Sequence, residues 1–145
     1  MVKGGRRRRV DASASGKYRR IGEALLGSSR DLLQLSEEGD MYGNAVAILA
    51  IHAAIAYADA VCIAFGEFKS TEGDHQGAVK ALKEAVGPRA DVQAIKALGL
   101  ILSEKDQVAY QGNYYTLDDA SAVVRRLETF VAWAEEILAR RALSL

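Results

Sequence analysis

NAVAILAIHAAIAYADAVCIAF, Asn44–Phe65, is almost wholly apolar and Ala-rich, contains no Pro or Gly, and offers only His52 and Asp59 as groups that ionise near neutrality. A helix that is apolar all round must be enclosed by other helices or by lipid. The flanking sequence supplies helices to do this, so the stretch reads as the central element of an all-α, up-and-down bundle of four to five helices. Its length also fits a membrane span. His52 and Asp59 fall mid-span, however, and Ala partitions weakly into lipid, so no membrane is expected.

The totals agree with one compact domain. The chain has 145 residues, half of them apolar, 26% charged and one Pro, enough for a single core and too few for two. Nineteen basic residues balance nineteen acidic ones, but unevenly. Residues 1–20 carry +7, so the remainder carries −7, a polarity that attracts nucleic acid, an acidic partner or a second copy's acidic body. Cys62 is the only cysteine, which precludes an intrachain disulfide and suits a reducing compartment. The head MVKGGRRRRVDASASG lacks the apolar region of a secretory signal, so a cytoplasmic location is expected. Residues 1–14 read as a basic flexible arm, with Arg6, Arg7, Arg8 and Arg9 as its nucleic-acid contacts, and residues 15–143 as the bundle.

In the first helix, from about residue 15 to 37, Tyr18, Ile21, Leu25, Ser28, Leu32 and Leu35 recur at steps of three and four and form one face. Gly22 and Gly27 weaken that helix, so close packing against a neighbour is expected to compensate. Gly39 suits a left-handed cap. In the central helix His52 and Asp59 are seven residues apart, two turns on one side, and read as a polar cleft or as two groups satisfied by neighbouring helices. A short third helix, capped by Asp74 or Ser70, ends at Gly87-Pro88.

Asp91 caps the next helix, expected to run unbroken to about residue 111 on a stripe of Val92, Ile95, Leu98, Gly99, Leu102, Ala109 and Tyr110. Asp106 falls in the middle of that stripe. A buried carboxylate requires a donor, and His52 and Tyr110 are the candidates. Thr116 opens the last helix, with Asp118 and Asp119 in its first turn and Arg140 and Arg141 near its end. Trp133 lies on that helix's polar side beside Arg126 and Arg140, which marks it, with Tyr114 and Tyr115 of the preceding turn, as a candidate interface residue.

Zinc spacing, phosphate-cradling glycine loops and paired Glu-x-x-His motifs are absent, so no metal or cofactor is expected. One local pattern remains, Lys105-Asp106-x-x-x-Tyr110. Together with IHAAIAYADAVC (51–62), the Ser-Thr-x-Gly-Asp-His loop (70–75) and a late helix followed by a capped final one, it resembles the HEPN family of small helical-bundle domains. The resemblance covers roughly residues 15–140. That family's ribonuclease motif is an Arg, usually a polar residue after it, and a His about one turn on; Lys105, Asp106 and Tyr110 occupy those places. Lys105 lacks the bidentate fork that grips a phosphate. Tyr110, with a reference pKa near 10, is a poor base or acid near neutrality. The resemblance therefore implies the fold, a homodimer formed through helices near this motif, and a link to RNA, nucleotides or a protein partner, as a non-catalytic module. The alternatives are a divergent, metal-independent, toxin-like ribonuclease using Lys105, Asp106 and Tyr110, and nucleic-acid binding through the arm.

Overall fold

The structure, a computed structural model, describes residues 7–37, 39, 41–71, 75–109 and 111–144. Arg6, Tyr110 and the capping Asp74 lie outside the described residues. The helices are α1 (Ser15–Leu35), α2 (Tyr42–Gly66), α3 (His75–Val86), α4 (Val92–Ser103), the short α5 (Lys105–Ala109) and α6 (Leu117–Ser144). Two three-residue strands, β1 (Arg7–Arg9) and β2 (Phe68–Ser70), pair antiparallel. The architecture is the all-α bundle expected from the sequence.

The apolar run forms α2, and α1, α3, α4, α5 and α6 all pack on it. Val46, Ala50, Ala54, Val61 and Ile63 are fully enclosed. Among the described residues α2 is the one helix long and apolar enough to cross a membrane, and most of it is buried inside the bundle. Alanines make this possible, because small side chains let surrounding helices approach closely. The C-terminal end of α2 stops at Glu67, whose left-handed backbone returns its N–H to the Ile63 carbonyl.

α1 packs on α2 through small residues. Gly22 faces the Tyr57 ring so closely that an added Cβ would meet Cδ2 at 2.6 Å. Ser29, fully buried, donates its hydroxyl to the Leu26 carbonyl. The inward line of α1 is thus Gly22, Leu26 and Ser29. The stripe read from the sequence is rotated away from the core: Ile21 is 51% exposed and Leu35 81%, while Leu25 and Leu32 are only partly covered. Periodicity identified an apolar face, but backbone proximity, which favours Gly and Ser, decides which line meets α2.

Two other expectations are corrected. The basic head is not free from residue 7 onward. Arg7 pairs with Glu84 and lies over the Phe68 ring at 4.5 Å, Arg9 stands 3.7 Å from Glu67, and the Val10 N–H donates to the Glu67 carbonyl. Asp11 then caps the 3-10 turn Ala12–Ala14. The arm is stitched to β2 and α3 through residues that read as nucleic-acid contacts in isolation, with Arg8 exposed between them. The helix begun by Asp91 also breaks at Glu104, whose N–H turns back to the carbonyls of Ile101 and Leu102. This break resets the phase: Val108 of α5 points inward, and Asp106 and Ala109 point out, while Val92, in the first turn of α4, is exposed as well.

The end signals of the other helices hold. Asp91 accepts from the Ala94 N–H at 2.9 Å. Thr116 and Asp119 bond reciprocally, each side chain accepting from the other's N–H at 3.0 Å, a capping box. The inward face of α6 includes Phe130 and Ile137 besides the expected Val123, Leu127 and Ala134.

The two α1 glycines give opposite expectations. Gly22→Ala forces its methyl into Tyr57 and should destabilise by about 1–3 kcal/mol. Gly27, with nothing within 4 Å of an added Cβ, should gain up to about 1 kcal/mol as Ala from helix propensity. Urea unfolding of both variants beside the wild type checks the opposite signs.

Candidate functional site

The α5 segment, Lys105–Ala109, follows the break of α4, where the chain turns toward α6. Asn44, at the start of α2, clamps that turn. Its amide donates to the carbonyls of Asn113 (2.7 Å) and Val108 (3.3 Å), and its Oδ1 accepts from the Tyr115 N–H (2.9 Å). The turn passes so close that a Cβ on Gly43 would overlap the Tyr115 carbonyl oxygen at 2.1 Å. Glu104 completes the arrangement, accepting from the Tyr115 hydroxyl at 2.6 Å and from Arg126 of α6 at 3.0 Å. Burial first, and then the Glu104 carboxylate, push the Tyr115 hydroxyl above its ordinary value. A shallow polar depression of about 350 Å³, lined by Glu104, Gln107, Asn113, Tyr114 and Arg126 among others, opens beside it.

The inward carboxylate of this region is Glu104, not Asp106. Asp106 is exposed and Lys105 half-buried. His52 is likewise exposed, on the open side of α2, and among the described residues no hydrogen bond or ion pair joins it to Asp106. Among the described residues the expected burial of Asp106 and its pairing with His52 are therefore absent, and the helix break two residues earlier turns Asp106 outward. Sequence reading missed Glu104 because its partners come from the 115 turn and from α6, and no local spacing announces them.

His52 and Asp59 do share a side of α2, but not a cleft. Asp59 is half-buried with Lys69 at 3.4 Å, and that ammonium also stands 4.9 Å over the Tyr18 ring. Burial raises the Asp59 carboxyl above its ordinary value, and Lys69 only partly opposes this. Cys62 is buried nearby, its thiol pushed up to about 12, first by burial and then by Asp59. A thiol so placed is a small core residue.

The candidate interface aromatics separate. Trp133 is half-buried against the core, its ring 5.8 Å from Phe130, and its indole N–H donates to the Arg89 carbonyl at 3.1 Å. Tyr115 is 7% exposed. Within the chain Tyr115 is thus an internal anchor, and Trp133 is half covered by its own fold. Tyr114, at 45%, stays outside. Apolar side chains are presented outward elsewhere too, among them Ile21 and Leu35 of α1 and Leu100 of α4.

Compared with family models, curated proteins and solved structures, the chain matches none. The site must be read from its own geometry.

Asp106→Ala should leave stability within about 0.5 kcal/mol of wild type, as for other exposed positions. Glu104→Ala, which strands Tyr115 and Arg126, should cost about 2–3 kcal/mol. Thermal unfolding of the pair measures the contrast. The raised carboxyl of Asp59 binds its proton more tightly folded than unfolded. Its contribution to stability is therefore greatest in acid and declines as pH rises from the ordinary carboxylate range near 4. Asp59→Asn should remove that decline, so the variant gains on wild type between roughly pH 4 and 7; unfolding curves across that range test it.

Proposed function

We propose that the protein is a non-catalytic, HEPN-like interaction module that works as a symmetric homodimer, with α1 of each copy at the interface. One observation carries this reading: α1 turns its apolar stripe outward. Ile21, Ser28 and Leu35 recur at seven-residue steps on the exposed side, with Leu25 and Leu32 half-buried beside them. Exposed Ile21 and Leu35, with half-buried leucines between them, are apolar surface that a partner can cover.

Charge placement selects a second copy as the occupant. Arg20 and Asp31 are both exposed at the edge of that stripe. They are eleven residues apart, about three turns along one line of the helix, or ~16 Å. Two α1 helices packed antiparallel about a two-fold axis set Arg20 of each copy against Asp31 of the other. The stripe itself carries no charge, so the isologous contact brings no like charges together. Exposure of Asp106 and His52, and the Glu104 carboxylate's engagement by Tyr115 and Arg126, support a non-catalytic role for the Lys105 region.

Sedimentation velocity at micromolar concentration should give a dimer. Asp31→Arg or Arg20→Asp alone creates two symmetric repulsions and should weaken it roughly tenfold to a hundredfold. The double exchange Arg20→Asp with Asp31→Arg should restore it. A wild-type monomer, or reversals without effect, would sink the reading. Incubation of the dimer with labelled RNA should yield no cleavage; cleavage lost in Lys105→Ala would replace it with the ribonuclease alternative.

A further inference from the structure

α3 and α4 run side by side from the turn at Gly87–Arg89, and between them lies an open trough of about 580 Å³. Its walls are aliphatic: Ile95 is buried, Val79 and Gly99 are half-buried, and Leu100 is 42% exposed. Gly99 keeps it wide, since a Cβ there would meet only Val79 Cγ2, at 4.0 Å. Lys80 and Lys83 stand on the α3 rim and Lys96 on the α4 rim, all exposed. Past Lys96 and Leu100 the surface continues into a second depression of about 330 Å³ that reaches Arg125 and Arg126 of α6.

No carboxylate lines either depression. Among the described residues the three lysines enter no ion pair, whereas Glu67, Glu84, Glu104, Glu128 and Glu135 are each held by an arginine elsewhere. The sequence carries the same signal in α4, VQAIKALGLILS, which contains no acid at all.

We infer that this trough docks an acidic amphipathic helix of a partner protein. The apolar floor takes side chains recurring at i, i+4 and i+7, and the lysines on both rims take the flanking carboxylates. Two twelve-residue helices give a groove of about 18 Å, the length of about three helical turns. Nucleic acid fits less well, because the trough offers aliphatic side chains where single strands need aromatic stacking platforms. No α1 residue lines it, so the inference is independent of the dimer face.

The test is a display library of helical peptides of about fourteen residues, with Leu fixed at i, i+4, i+7 and i+11 and every other position random, selected on the full chain. Enriched sequences should carry Asp and Glu beside the apolar stripe. Single enriched peptides should bind at least about tenfold more weakly to Gly99→Phe, which fills the trough, and to the Lys80→Glu, Lys83→Glu, Lys96→Glu triple variant. Gly99→Ala, which leaves the trough open, should bind as wild type, and circular dichroism checks that each variant folds. No enrichment, enrichment of basic or neutral peptides, or binding indifferent to Gly99→Phe each overturns the inference. So does trough-dependent binding of a dT oligonucleotide or of phosphatidylserine vesicles in place of the peptide. Species larger than a dimer that disappear in Gly99→Phe would assign the trough to a second copy instead and overturn it equally.

Discussion

Three helices meet at one carboxylate. Glu135 of α6 accepts from the Tyr57 hydroxyl of α2 at 2.8 Å and from Arg19 of α1 at 2.7 Å, while the Tyr57 ring lies against Gly22. Each part requires the others. The ring fits only because α1 has no side chain at 22. Its buried hydroxyl is tolerable only because an acceptor reaches it, and the Arg19 guanidinium pairs with that carboxylate. Burial and the Glu135 carboxylate hold the Tyr57 proton more firmly than usual, and Arg19's own hydrogen bond to that carboxylate raises the guanidinium further. Neither end of the tie titrates near neutrality, so its geometry is fixed over the physiological range.

This constraint explains why α1 presents its larger side chains to solvent. A helix that approaches α2 through Gly22 and Ser29 comes close, and Arg19 and Arg30, which flank that line, reach Glu135 and Glu128 of α6. With one side on α2 and another tied to α6, the line through Ile21, Ser28 and Leu35 is left on the solvent side, beside Arg20 and Asp31. The outward apolar stripe thus follows from how the interior is satisfied. It is a consequence of packing small residues where the backbones are nearest.

The legible parts of the fold were those written in contiguous residues. Asn44–Phe65 announced a buried rod, Asp91 and Thr116 announced helix starts, and Gly87-Pro88 announced a stop; all are found. What escaped reading depends on partners distant in the chain. Glu104 ends α4 and turns inward because Tyr115 and Arg126 come to it, and that break sends Asp106 outward. Trp133 looks like an exposed anchor until the Arg89 carbonyl, forty-four residues away, takes its indole N–H. The Arg7–Arg9 run looks like an arm until Glu84, Glu67 and the Phe68 ring are brought beside it. A period of three and four locates an amphipathic face but not its neighbour, so the α1 stripe was found and its direction was not.

Charge is distributed by the same logic. The body carries an excess of acid, yet its carboxylates at 67, 84, 104, 128 and 135 are joined to arginines that link one element to another. Arginine suits that work, since its planar fork and fixed charge hold two elements in register where an ammonium on a flexible stem does not. Lys69 is the one lysine in an ion pair among the described residues. Of the remaining described lysines, Lys80, Lys83 and Lys96 gather on α3 and α4 and surround apolar surface rather than crossing between helices. Cations that neither tie the fold nor meet a carboxylate of their own chain leave a positive field around an apolar trough, and a ligand that is both acidic and apolar answers both features at once.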